Sequence, residues 1–188
     1  MNILINMDGV IARYKKIGDE NSNIIVEPDN KMINVVEKLS NMKNINLKII
    51  TNLSKNGKKY LECIYSKKQW LKKHCPFIDI ENQFIATIVY PRDVMNLLCG
   101  TNKESLTYDD ILIGTTNSEA VDWRYKGGFA IKYKTDTVYP DEKRTPSFDG
   151  LTLTNDMSSD EIYDLLEIII NQFTKHFNDR KEEQHNEN

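Results

Sequence analysis

The stretch Ile3-Leu4-Ile5-Asn6-Met7-Asp8-Gly9-Val10 decides how this chain reads. A short apolar strand runs into Asn-x-Asp-Gly. Gly9 permits a sharp turn, which lets backbone amides approach an anion. Asp8 is a carboxylate placed to carry a proton. Asn6, two residues earlier, is a neutral amide. It accepts through its carbonyl oxygen and donates through its NH₂, and it has no anionic oxygen with which to attack an electrophile.

Outward from that stretch, strands and helices alternate, the signature of a parallel α/β sheet flanked by helices. The first strand covers Asn2 to Asn6. Arg13 to Glu27 is polar with few apolar anchors and reads as a loop or short insertion. Pro28-Asp29-Asn30 opens a helix in which Met32, Val35, Val36 and Leu39 recur at helical spacing. Leu47 to Thr51 is the second strand. A helix from Lys58 to His74 follows, with Tyr60, Ile64, Trp70 and Leu71 as core positions and Pro76 as its stop. Gln83 to Val89 is the third strand, and Arg92 to Tyr108 is part helix and part loop. Ile111-Leu112-Ile113 is the fourth strand, with Asp109-Asp110 as a solvated turn before it. A short helix spans Ser118 to Tyr125, and Gly127-Gly128 turns into a fifth strand, Phe129 to Tyr133. Lys134 to Met157 reads as a surface excursion with a turn at Asp149-Gly150. Ser158-Ser159-Asp160-Glu161 caps a last helix whose Ile162, Leu165, Leu166, Ile169 and Phe173 form one stripe, packed on the sheet or used as a homodimer contact. This gives one domain over 1–177 and a polar, disordered tail over 178–188.

Composition narrows the classes. The chain has 188 residues, 28% of them charged, and a net charge of −3, with Lys interspersed among Asp and Glu. That balance gives no electrostatic footprint for nucleic acid or a membrane surface. Cys63, Cys75 and Cys99 have no metal-ligand spacing and fit reduced thiols. No segment is long and apolar enough to span a bilayer, and a strand starting at Asn2 leaves no room for a signal peptide, so the expected location is the cytoplasm.

In an open parallel sheet, ligands bind beyond the carboxyl ends of the strands. Three such ends converge here: Asn6-Met7-Asp8-Gly9, Thr51-Asn52 and Gly114-Thr115-Thr116. Taken with Lys68 to Pro76, and with Ile111 to Thr115 followed by Trp123, Gly127-Gly128 and Ile131-Lys132-Tyr133, the ordered set resembles the haloacid dehalogenase-like superfamily. Within it, the set is similar to the cytosolic 5′(3′)-deoxyribonucleotidases. The resemblance covers most of residues 1 to 133. It implies a Rossmann-like parallel sheet and hydrolysis of a nucleoside monophosphate. The family uses a nucleophilic Asp at position 6 and a proton-shuttling Asp at position 8, while this chain's own residues offer the Gly9 amides, the Thr51 hydroxyl and the Asn52 amide as phosphate contacts. Its Mg²⁺ is held by the nucleophile, a backbone carbonyl and an acidic motif after the fourth strand.

This chain departs from that pattern. Asn6 replaces the nucleophile, Gly114-Thr115 replaces the acidic pair, and Val94 or Met95 stands near the family's Lys, with Arg92 and Lys103 out of register. The helical cap is reduced or absent, with 13–27 as its remnant, where Tyr14 is a candidate ligand contact. Mg²⁺ favours carboxylate oxygens. If it is still held, Asn6, Asp8 and Thr115 are the ligands to hand; otherwise no cofactor is expected. A working enzyme needs a replacement carboxylate near Asn6, and Glu119 is first in line. The expected function is a catalytically impaired nucleotidase relative that binds a nucleoside monophosphate, another small phosphorylated ligand or a protein partner. An active Mg²⁺-dependent 5′-nucleotidase with a shifted metal site, and a structural or interaction module, are the alternatives.

Overall fold

The computed structural model describes residues 1–16, 24–53, 60–87, 106–135 and 147–186, with backbone alone for 14–16, 24–25 and 177–186. The expectations placed on Tyr14, Arg92, Val94, Met95, Cys99 and Lys103 lie outside the described side chains. The strands are β1 (Asn2–Asn6), β2 (Ala12–Lys16), β3 (Ile24–Pro28), β4 (Asn46–Asn52), β5 (Phe84–Thr87), β6 (Asp110–Gly114), β7 (Phe129–Lys134) and β8 (Thr152–Thr154). The helices are α1 (Asn30–Ser40), α2 (Tyr60–His74), α3 (Ile80–Gln83), α4 (Asn117–Tyr125) and α5 (Ser159–Asn186).

Among the described residues six strands form one sheet in the order β5-β4-β1-β6-β7-β8, and every pairing in it is parallel. β1 sits near the middle with Ile3, Leu4 and Ile5 fully buried, which is why its sequence is an unbroken apolar run. Alternate residues serve two faces. Ile3, Ile5, Ile111 and Ile113 pack with Val35, Val36 and Leu39 of α1 and Ile162, Leu166 and Ile170 of α5. Leu4, Ile50, Leu112 and Ala130 pack with Ala120 and Trp123 of α4. The turn Gly127-Gly128 fits that second layer. Gly127 has φ +94°, and a Cβ at Gly128 would lie 2.3 Å from the Trp123 indole nitrogen, which donates to the Asp110 carbonyl at 2.8 Å.

Four local expectations are corrected. Arg13 to Glu27 is not a bare loop, because β2 and β3 form an antiparallel hairpin over its described part. The surface excursion after β7 returns as a parallel edge strand, β8, whose three residues are too few to show a period. Asp110 is fully buried rather than solvated. It accepts from the Asn2 side chain at 2.7 Å and the Thr107 N–H at 2.9 Å. The helical backbone of α5 continues to Asn186, through most of the stretch 178–188 expected as a disordered tail. The stripe on α5 packs inside this chain, leaving Ile168 outside at 55% exposure. No helix among the described residues is long and apolar enough to cross a membrane.

Candidate functional site

The carboxyl ends of β1, β4 and β6 do converge, and each brings its side chain for a local reason. β1 hands over to a tight loop in which the Met7 N–H donates to the Ile50 carbonyl at 2.7 Å and the Ala12 N–H donates to the Met7 carbonyl at 2.9 Å. Gly9 adopts φ +84°, a conformation that glycine takes without strain. Its N–H donates to the Ala12 carbonyl at 2.8 Å. The amide expected to face a phosphate is therefore engaged, and Gly9 supplies the turn instead.

Asp8 is held from two sides. One carboxylate oxygen accepts from the Thr51 hydroxyl, at the end of β4. The other accepts from the Lys67 ammonium, on α2. Both charged side chains are mostly shielded, with 22% of Asp8 and 13% of Lys67 exposed, so this ion pair is screened less than a surface one. Thr51 is buried and Asn52 is exposed at the rim. Lys67 was not among the residues singled out from sequence. Its signal was present: Lys67 falls on the same helical stripe as Tyr60, Ile64 and Leu71, at spacings of four, three and four. A Lys on an otherwise inward stripe needs a buried partner.

Asn6 is buried and meets Glu119. The Asn6 Nδ2 donates to Glu119 Oε1 at 3.0 Å, across 113 residues of sequence, and Asn6 Oδ1 accepts from the Asp8 N–H at 3.3 Å. Glu119 reaches inward because it belongs to a capping box. Thr116 caps α4 and accepts from the Glu119 N–H at 3.2 Å, while Glu119 Oε2 accepts from the Thr116 and Thr115 N–H groups, each at 3.4 Å. Burial raises the Glu119 carboxyl above its usual range, against the opposing pull of the hydrogen bonds from Thr116, Thr115 and Asn6. Thr115 is buried beneath this carboxylate.

The donor set can be tested against Mg²⁺, which needs oxygen ligands. An ionised Glu119 only accepts, so its neighbour Asn6 presents NH₂ rather than oxygen. The Asn6 oxygen is turned to the Asp8 amide, and the Asp8 oxygens are turned to Thr51 and Lys67. An N–H bridge thus stands where a cation would join two anionic oxygens, and no group of three or more His, Cys, Asp or Glu suited to a metal occurs among the described residues. The residues as arranged do not fit the ion.

Neither a protein-family model nor a curated protein matches the chain. Among solved structures, the crystal structure of D,D-heptose 1,7-bisphosphate phosphatase from Burkholderia thailandensis is similar, with a TM-score of 0.52 and 12% identity over 88% of this chain and 97% of that one. At that identity the likeness is one of fold. The chain is an α/β protein with a Rossmann-like parallel sheet flanked by helices, a fold it shares with that phosphatase structure.

Proposed function

We propose that this chain is a catalytically silent relative of the haloacid dehalogenase-like nucleotidases, whose pocket at the ends of β1 and β4 recognises a small phosphorylated ligand, a nucleoside monophosphate, without hydrolysing it. The observation that carries this reading is the 3.0 Å hydrogen bond from Asn6 Nδ2 to Glu119. An amide donor lies where the phosphatase reaction needs an attacking carboxylate oxygen and a cation beside it. Losing a covalent nucleophile removes several kcal/mol of barrier lowering, on the order of powers of ten in rate. Recognition survives that loss. The Lys67 ammonium and the Thr51 hydroxyl are donors of the right kind for a phosphate oxygen, and both meet at Asp8. A bound phosphate would compete with Asp8 for them, and Asn52 stands at the rim for the rest of the ligand.

Thermal-shift measurements with a nucleoside monophosphate, in EDTA and in Mg²⁺, test the ligand. The reading expects equal stabilisation in both, about 2.7 kcal/mol at a hundredfold excess over Kd. Absence of any shift removes the ligand from the proposal. One observation favours the second reading, a Mg²⁺-dependent 5′-nucleotidase with a shifted metal site: Glu119 is a carboxylate in contact with Asn6. That reading expects stabilisation by Mg²⁺ alone and its loss in Glu119→Gln.

A further inference from the structure

A second polar cluster lies at the same end of the sheet, beyond β6. Asp29, the cap of α1, has a side chain only 1% exposed. A buried carboxylate is tolerated only when its oxygens are satisfied, and here they are. Oδ1 accepts from the Met32 N–H at 3.1 Å. Oδ2 accepts from Arg13 Nε at 2.7 Å and from the Tyr133 hydroxyl at 2.8 Å. Arg13 Nη2 lies 2.6 Å from the same oxygen and also donates to Asn155 Oδ1 at 2.7 Å. Lys31 closes the turn after β8 by donating to the carbonyls of Asn155, at 2.6 Å, and Met157, at 2.8 Å. Burial, followed by the bond to Asp29, holds the Tyr133 phenol well above its usual range, so it remains a donor.

The members come from four parts of the chain: Arg13 from β2, Asp29 and Lys31 from the start of α1, Tyr133 from β7, and Asn155 from the turn leaving β8. The cluster is also joined to the Asp8 loop. The Asp29 N–H donates to the Ile11 carbonyl at 2.8 Å, and Ala12, the neighbour of Arg13, is hydrogen-bonded to both Met7 and Gly9. Asp8 itself bridges to Ala12. The β2–β3 hairpin starts at Ala12 and ends at Pro28, so both of its roots lie between Asp8 and the cluster.

We propose that the Arg13–Asp29–Tyr133–Asn155 cluster is a latch through which the β7–β8 edge of the sheet sets the position of the Asp8 loop and the hairpin. Arg13 and Tyr133 are then positioning residues, acting on Asp8 through Ile11 and Ala12. A coupling claim of this kind needs a local readout, because a network that merely supports the fold loosens everything together. The inference does not depend on whether the pocket takes a phosphate.

Amide hydrogen exchange by mass spectrometry on the full chain supplies that readout, comparing the unmodified protein with Arg13→Met and Tyr133→Phe. Exchange over 7–16 and 24–28 should rise about tenfold or more in both, while β6 and α5 stay within about twofold of the unmodified chain. Unchanged exchange over 7–16 and 24–28 would overturn the latch, and so would an equal loss of protection in β6 and α5. Tyr133→Phe keeps the ring and removes one hydroxyl, so it decides the matter by itself if Arg13→Met does not fold.

Discussion

At the scale of single residues, the chemistry turns on an amide and a carboxylate in contact. Asn6→Asp would set two carboxylates at hydrogen-bond distance with no donor between them, and like charges that close oppose ionisation. The variant should lose about 1–3 kcal/mol of stability in EDTA, as read by chemical denaturation, and recover it in Mg²⁺. Equal stability of the two chains in EDTA would count against the described geometry. Glu119 also leaves a pH signature. Its carboxyl is raised from a usual value of 4.5, so the folded chain holds that proton more tightly than the unfolded chain does. Its contribution is fully present below about 4.5 and is lost as pH climbs through the raised value. Asp79, Asp149, Asp156 and Glu161 are lowered and act in the opposite sense. Glu119→Gln keeps the capping geometry and removes the titration, so the margin of the unmodified chain over this variant should narrow as pH rises above 4.5. A margin that widens would show that the carboxylate is stabilised by its surroundings. Part of this was legible beforehand. Thr116-x-x-Glu119 spells a capping box in the sequence, but the contact of Glu119 with Asn6 spans 113 residues and belongs to the sheet order.

The elements that were easy to read were those with long, strong periods. β1, β4, β6 and β7, with α1 and α5, lie where their apolar runs and stripes put them, and α4 covers the short helix read at Ser118 to Tyr125. The hairpin was hidden because Ala12–Lys16 carries adjacent cationic residues, and its stability comes from pairing with β3 and from the Arg13–Asp29 contact. In α2 the inward stripe is sparse. Leu71 is its buried residue, while Leu61 and Tyr65 are 75% and 66% exposed. Lys67 therefore stood out less than it would have on a well-packed helix. The stripe of α5 was ambiguous in sequence and is core in the structure. Ile170→Ala should cost about 2–4 kcal/mol, whereas Ile168→Ala, at an exposed site, should stay within about 0.5 kcal/mol. Denaturant midpoints compare the two. A reversed order would mean that the outer face of α5 is covered by something else.

For the whole molecule, the parallel order β5-β4-β1-β6-β7-β8 brings residues 6, 8, 51, 67 and 119 to one end of the sheet, although they are scattered over most of the described chain. The fold was legible because strands and helices alternate along the chain, as in the described β4-α2-α3-β5 and β6-α4-β7 units. The convergence of the β1, β4 and β6 ends was legible because a parallel sheet sets its carboxyl ends side by side. Its internal wiring was not, since no pattern within a short window relates Asp8 to Lys67 or Asn6 to Glu119. That wiring pairs Asp8 with the Lys67 ammonium and gives Glu119 the Asn6 amide as a donor, and on the proposed reading the pocket holds a phosphate ester without cleaving it. Steady-state release of inorganic phosphate from a nucleoside monophosphate by the unmodified chain, with Mg²⁺ and with EDTA, tests this most directly. The account predicts the same rate as a protein-free control in both. Sustained Mg²⁺-dependent release that disappears in Glu119→Gln would contradict it.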